Sequence, residues 1–356
     1  MFRSSRPTLF CVLITFALVG CGPTAGASPL GASPSDPASP TAGASPLGAS
    51  PSDPGRPTAT PASLSPASSV ASAAASHGPA LPGRIAFGRS DSALGNWRVF
   101  TMLTDGSDVR MLLPGASESP AWSPDNSVIS VVSFDDGDFL KVLRPDGTLV
   151  RELKAPDATL GLGCDNWSPD GTRFVCEGWD DAHPERIGVY TVRASDGGDL
   201  KRLTTSADRQ HDIPGGYSPD GKRIAFVHVT DDGREQGELW IMDADGGNAQ
   251  RANEATVGYG VDWSPDGRSI VGDGGGALLV FDASDLSRAP RKINVPNAGA
   301  FGASWSPDGS RLAFSLASAG GRLPDIATIA IDGTDLQILT TDPAKEEFPR
   351  WGLPTP

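Results

Sequence analysis

Three of the four histidines, His183, His211 and His228, fall in one stretch of the chain, with Asp180, Asp181, Asp208 and Asp212 close by in sequence. Imidazole and carboxylate together can hold a divalent transition metal. No i, i+4 helical spacing or other motif fixes their geometry, and loop histidines that bind nothing are the ordinary case. No metal is therefore assigned, and the three histidines stand only as candidate ligands. No G-x-S-x-G elbow, phosphate loop, H-E-x-x-H or paired-cysteine zinc motif occurs in the chain. The expectation is no catalytic residue and no cofactor.

Any site must be positioned by the repeats that fill the chain beyond residue 83. An aromatic residue followed by Ser-Pro-Asp-Gly, or once Ser-Pro-Asp-Asn, begins at Trp122, Trp167, Tyr217, Trp263 and Trp305, and a sixth aromatic, Trp351, follows Phe348-Pro349-Arg350. Successive spacings are 45, 50, 46, 42 and 46 residues. A short β-type run follows each turn, at 128, 173, 223, 269 and 311, and a sixth, at 84, has no aromatic turn before it. Two further strands complete each unit, as in Glu238 to Asp243 and Asn248 to Ala252. Four strands in this period is the layout of a β-propeller blade, whereas helical repeats of that length would show a 3.6 period. In the turn, proline presets φ, Asp suits the next position, and Gly takes the left-handed conformation; Asn126 is the next most tolerant residue there.

These motifs resemble the WD40-like repeats of the TolB C-terminal propeller, over residues 84 to 356. The expected fold is all-β, a six-bladed propeller closed by its N- and C-terminal strands. Blade one pairs the run at Arg84 to Arg89 with Phe348 to Gly352. TolB itself carries an additional N-terminal domain, and here a Pro/Ala/Ser-rich linker takes its place. Two separate β-sandwiches are the alternative, but they give no reason for six units in phase. The residues just before the aromatics are small (Ser119, Gly215, Gly216, Gly260, Gly302, Ala303), as crowding about one axis requires.

In such a ring the Ser-Pro-Asp-Gly turns form one stereotyped face, and the opposite face carries the variable loops where binding usually lives. Four positions before the aromatics, at the mouth of the axial channel, stand Glu118, Gly163, Ile213, Tyr259, Phe301 and Glu347. Glu118, Tyr259, Phe301 and Glu347 are the candidate binding residues, suited to a ligand with a cationic and an apolar end; a solvated rim with ordinary packing is the plainer reading. If Pro169-Asp170-Gly171 is a three-residue loop, Ser168 faces Thr172 and the ladder places Cys164 opposite Cys176. That is within disulfide reach, in a hydrogen-bonded pair, with two buried free thiols as the alternative.

The first 20 residues have the layout of a signal peptide, with Arg3 and Arg6 before a largely apolar stretch from Leu9 to Val19. Its ending, Leu18-Val19-Gly20-Cys21, resembles the lipobox of bacterial lipoproteins, which implies a lipid on Cys21 and loss of Cys11 with the leader. An ordinary cleaved signal or an uncleaved anchor are the alternatives. From 21 to 83 the chain is mostly Ala, Ser, Pro, Gly and Thr, and TAGASPLGASPSDP occurs unchanged at 24 to 37 and at 41 to 54. This composition cannot offset the entropy of ordering and predicts a disordered tether, with an r.m.s. span of about 45 Å. The net charge of -14 excludes an electrostatic nucleic-acid binder and a basic membrane surface.

The reading is a lipid-anchored, extracytoplasmic propeller, periplasmic or extracellular. It serves as a non-catalytic binding or scaffolding module of the bacterial cell envelope. The partner is an envelope protein or glycan on the variable-loop face, and the chain is monomeric. The alternative is a metal-dependent carbohydrate lyase or hydrolase on the histidine-bearing face, by likeness of fold to sugar-lyase propellers.

Overall fold

The computed structural model describes residues 83–353, except 91–94, 135–139, 181, 206–209, 231–235 and 319–321. The leader, Cys21 and the tether as far as residue 82 lie outside the described residues, as do Asp181 and Asp208. The described chain forms six four-stranded antiparallel sheets. Each is one blade of a six-bladed propeller. The inner strands are Lys345–Gly352 in blade one, Ser117–Trp122 in two, Gly161–Trp167 in three, Gln210–Tyr217 in four, Asp262–Trp263 in five and Ala298–Trp305 in six. Blade one takes its other strands from the start of the domain, and Arg84–Ser90 pairs directly with Lys345–Gly352.

The turn motif folds as its residues dictate. Gly171, Gly221, Gly267 and Gly309 have φ of 69, 71, 69 and 71°, and Asn126 has 57°. The serine hydroxyl donates to the aspartate two residues on, for example Ser218 Oγ to Asp220 Oδ1 at 2.7 Å. It also accepts the backbone N–H five residues on, at 3.0 Å from Arg223. The loop is nevertheless one residue longer than the sequence suggests, because Ser168 N bonds Arg173 O at 2.8 Å, so Ser168 faces Arg173 and not Thr172. The ladder recovers the expected register through a bulge between Cys164 and Asn166, which leaves Cys164 opposite Cys176. Their Cα atoms are 4.0 Å apart, and the two are joined as a disulfide. That separation belongs to the closer, non-hydrogen-bonded type of pair, not to the hydrogen-bonded pair read from the sequence.

Tryptophans latch neighbouring blades together. The indole N–H of Trp122 donates to Arg350 O at 3.1 Å, Trp167 to Ser130 Oγ at 3.0 Å, and Trp305 to Asp262 O at 3.2 Å. Each bond ties an inner strand to the blade before it. At the seam, Trp351 packs with Ile85, Phe87, Phe100 and Met102. Arg89 donates from Nε to the fully buried Glu346 at 2.7 Å and meets Asp342 at 2.6 Å. Its guanidinium lies 4.7 Å from the centroid of Phe100. Leu353 N donates to Asn126 Oδ1 at 2.8 Å, fastening the closing strand to the turn of blade two.

Trp351→Ala leaves a cavity at this seam and should cost about 3 kcal/mol, lowering the melting temperature by roughly 5–10 °C. Deleting residues 345–356 should open the ring and expose apolar blade faces, read as dye binding and early aggregation. A truncated chain that melts with the wild type would show that this strand does not close the ring.

Candidate functional site

Six strands converging on one axis have little room, and the inner strands respond with bulges. The pairing register slips between Glu118 and Ala121, Cys164 and Asn166, Pro214 and Gly216, and Phe301 and Ser304. Bulge residues adopt left-handed backbone at Ser119, Gly216, Gly302 and Phe348, with φ of 51, 123, 60 and 54°. A bulge re-aims the side chains around it. In blade three the extra residue is Asp165, and Glu177 follows Cys176 on the paired strand. Glu118 joins them from blade two, Asp212 from blade four and Asp262 from blade five.

These carboxyls share one field. Burial pushes Asp165 up to about 7, opposed by Arg350 and reinforced by Glu118. Burial pushes Glu177 up to about 8, and Asp165, Asp212 and Glu118 add to it. Glu118 is raised by burial, as is Asp262, which Arg350 and the N–H groups of Trp305 and Trp263 partly compensate. Arg350, on the inner strand of blade one, thus acts on acids carried by the inner strands of blades three and five. Its Nη1 is buried with no hydrogen-bond partner among the described residues. Further round, Asp273 accepts Gly302 N at 3.0 Å and is pushed by burial up to about 6. A cluster of this kind retains protons near neutrality and would release them to an approaching cationic group, which favours the ionised form.

Of the residues read from the sequence, Glu118 joins this set. Glu347 is buried, raised by burial, and bonded by Lys345 at 2.9 Å. Phe301 is buried edge-on against Phe348, with ring centroids 5.9 Å apart. Tyr259 is half-buried against the core between blades four and five. Phe301 thus keeps little exposed surface, and Tyr259 keeps part of its own.

The histidines do not converge. His183 is 60% exposed beside Glu185, while Asp180 is taken by Arg186 at 2.6 Å. His228 Nδ1 lies 2.6 Å from Asp212 Oδ1, a bond that raises its pKa. His211 sits at the start of the inner strand of blade four. Among the described residues no group of three or more His, Cys, Asp or Glu is placed to hold a metal.

Asp165, Glu177, Asp262 and Arg350 escaped the sequence reading. The available signal was a charge inside an otherwise apolar run, as with Glu177 in RFVCEGW and Asp165 in GLGCDNW.

The sign of the pH dependence follows. Asp165 and Glu177 have folded pKa values above the ordinary carboxylate range, so the fold binds more protons than the unfolded chain between about pH 4 and 8. Their contribution is most favourable at low pH and is lost as pH rises through about 7 and 8. The melting temperature should fall between pH 5.5 and 8.5. Glu177→Gln should flatten that slope and raise stability at pH 8.5; an unchanged slope would show that the axial carboxyls do not share protons.

Comparison with known proteins agrees with this architecture. Residues 80–275 match the family described as the TolB beta propeller domain. The Tol-Pal system protein TolB of Anaeromyxobacter sp. (strain K) is 37% identical over 134 residues, which cover 36% of this chain and 29% of that protein. The match thus spans less than a third of that relative's length. Among solved structures, TolB from Acinetobacter baumannii superposes with a TM-score of 0.59 at 22% identity, covering 76% of this chain and 66% of that one. A putative TolB from Agrobacterium tumefaciens superposes with a TM-score of 0.54 at 19% identity, covering 77% and 99%. With the family match extending over more than half of its residues, the chain belongs to the TolB β-propeller domain family.

Proposed function

We propose that this protein is a non-catalytic binding or scaffolding module of the bacterial envelope. It receives an envelope protein at the axial channel and the loop face around its mouth. The observation that carries this reading is the cluster of Glu118, Asp165, Glu177 and Asp212 from blades two, three and four, which act on one another, with Arg350 set against Asp165 and Asp262. Such a wall holds its charges at a cost that a basic segment of a partner would relieve. Nothing in it is arranged as nucleophile, base and orienting group. The carbohydrate lyase or hydrolase reading has less support, because His183 and His228 take separate carboxylate partners. The name of the Anaeromyxobacter relative, a component of the Tol-Pal system, is in keeping with a protein partner.

Capture from envelope extract by the full chain tests the site. The Glu118→Gln, Asp165→Asn, Glu177→Gln variant should recover the main wild-type partner at least about tenfold less well, equivalent to about 1.4 kcal/mol. Equal recovery would reject the channel as the binding site.

The anchor is part of the same reading. The lipobox-like Leu18-Val19-Gly20-Cys21 supports acylation of Cys21, with residues 22 to 83 as a spacer that lets the propeller reach its partner. Cys21→Ser should move the protein out of the membrane fraction or leave it unprocessed. Unchanged partitioning of that variant into detergent would argue for an anchor of another kind.

A further inference from the structure

The repeat aromatic is tryptophan in every blade except four, where Tyr217 stands. Trp122, Trp167 and Trp305 span to the preceding blade through their indole nitrogens, whereas among the described residues Tyr217 makes no such bond to blade three. Between blades three and four, on the face of the Ser-Pro-Asp-Gly turns, the structure has a cleft of about 530 Å³. Pro169, Pro219 and Tyr217 line it with Asp170, Asp220 and Arg173. Its size is that of a site for a small ligand or a few residues of a polypeptide.

The next interface round the ring shows what such a place accepts. Arg223, six residues after Tyr217, lays its guanidinium over the ring of Trp263, 4.8 Å from the centroid. The counterpart at the cleft is Arg173, six residues after Trp167, but it is drawn elsewhere. Its Nη1 donates to Asp199 Oδ2 at 2.7 Å, and its Nη2 to Asp199 O at 2.7 Å and Thr191 Oγ1 at 2.9 Å. Among the described residues no cation lies over Tyr217, although a Tyr face attracts one.

We propose that this cleft is a docking slot for an arginine side chain carried by a partner polypeptide. The guanidinium stacks on Tyr217 as that of Arg223 stacks on Trp263, its stem lies along Pro169 and Pro219, and its N–H groups reach the carboxylates of Asp170 and Asp220. Both carboxylates are held below the usual range, chiefly by the hydroxyls of Ser168 and Ser218, and so carry full charge at neutral pH. Lys222, 3.7 Å from Asp220, is exposed and free to swing aside. Arginine suits the slot better than lysine, because a planar, weakly hydrated guanidinium can stack and donate at once. The slot lies among the turns, whereas the candidate binding residues of the channel mouth lie at the other end of the inner strands. It does not depend on the function proposed for the channel.

The test titrates the full chain with the capped tripeptide acetyl-Ala-Arg-Ala-amide, following backbone and tyrosine resonances by NMR, with the Lys and Glu counterparts as controls. Saturable binding in the range of about 1 mM, stronger for Arg than for Lys and absent for Glu, is expected, with shifts centred on residues 168–173 and 217–221. Asp170→Asn with Asp220→Asn, both on exposed turns, should weaken binding about fivefold. Asp199→Asn, at an exposed turn position, should also weaken it, because it releases Arg173 to close over Tyr217. Equal binding of the Glu peptide, affinity unaltered in either variant, or shifts confined to the residues around Arg350 would overturn the proposal.

Discussion

Everything in this molecule answers to the crowding of six strands around one axis. A propeller inner strand cannot present full-sized side chains to the axis along its whole length, and this chain meets the limit with bulges and small residues. Gly216 shows how tight the fit is, because a Cβ there would stand 3.1 Å from the Asn166 side chain. Each bulge also breaks the alternation of a strand, so the residue that faces the axis is not the one a period of two would select. Asp165 is such a residue and Glu118 borders another bulge, and the raised pKa values of both follow from burial.

The ring and its phase were legible in the sequence because both rest on local chemistry. A Ser-Pro-Asp-Gly turn needs its four residues wherever it stands, and the strand that follows it needs branched and aromatic residues. Arg223–Thr230 and Arg311–Ser318 therefore begin where the repeat predicts. Closure by Lys345–Gly352 was equally readable, since a ring of blades leaves no other partner for Arg84–Ser90.

The site was only partly legible because it is made by strands from different blades. Glu118 could be placed by counting back four residues from Trp122, an offset along the repeat that holds although a bulge lies between the two. Asp165 could not, because it is the extra residue of a bulge. The paired cysteines show the same effect in the opposite sense. The longer turn and the bulge shift the register by one residue each in opposite directions, so a count that omitted both still placed Cys164 opposite Cys176. Arg350 was invisible as a channel residue because its partners, Asp165 and Asp262, come from blades three and five.

The acids of the inner strands and the ion pairs of the periphery meet in blade three. Burial opposes the ionised form at Asp165, Glu177 and Asp262, and Arg350 offsets this only at Asp165 and Asp262. The periphery carries a repeated device of its own. Arg84 with Asp108, Arg173 with Asp199 and Arg311 with Asp335 are three copies of one clamp, each at 2.6 or 2.7 Å, from the start of a second strand to the turn before its fourth. Surface pairs of this kind contribute little singly. These arginines do more, because each also donates to a threonine of the third strand, at Thr101, Thr191 and Thr328. Each clamp joins the second and third strands to the turn before the fourth, and of the three blades that carry one only blade three also carries the raised acids Asp165 and Glu177. In blade three the clamp also withholds Arg173 from Tyr217, so the same bonds that brace the acid-bearing blade leave the aromatic face beside it open.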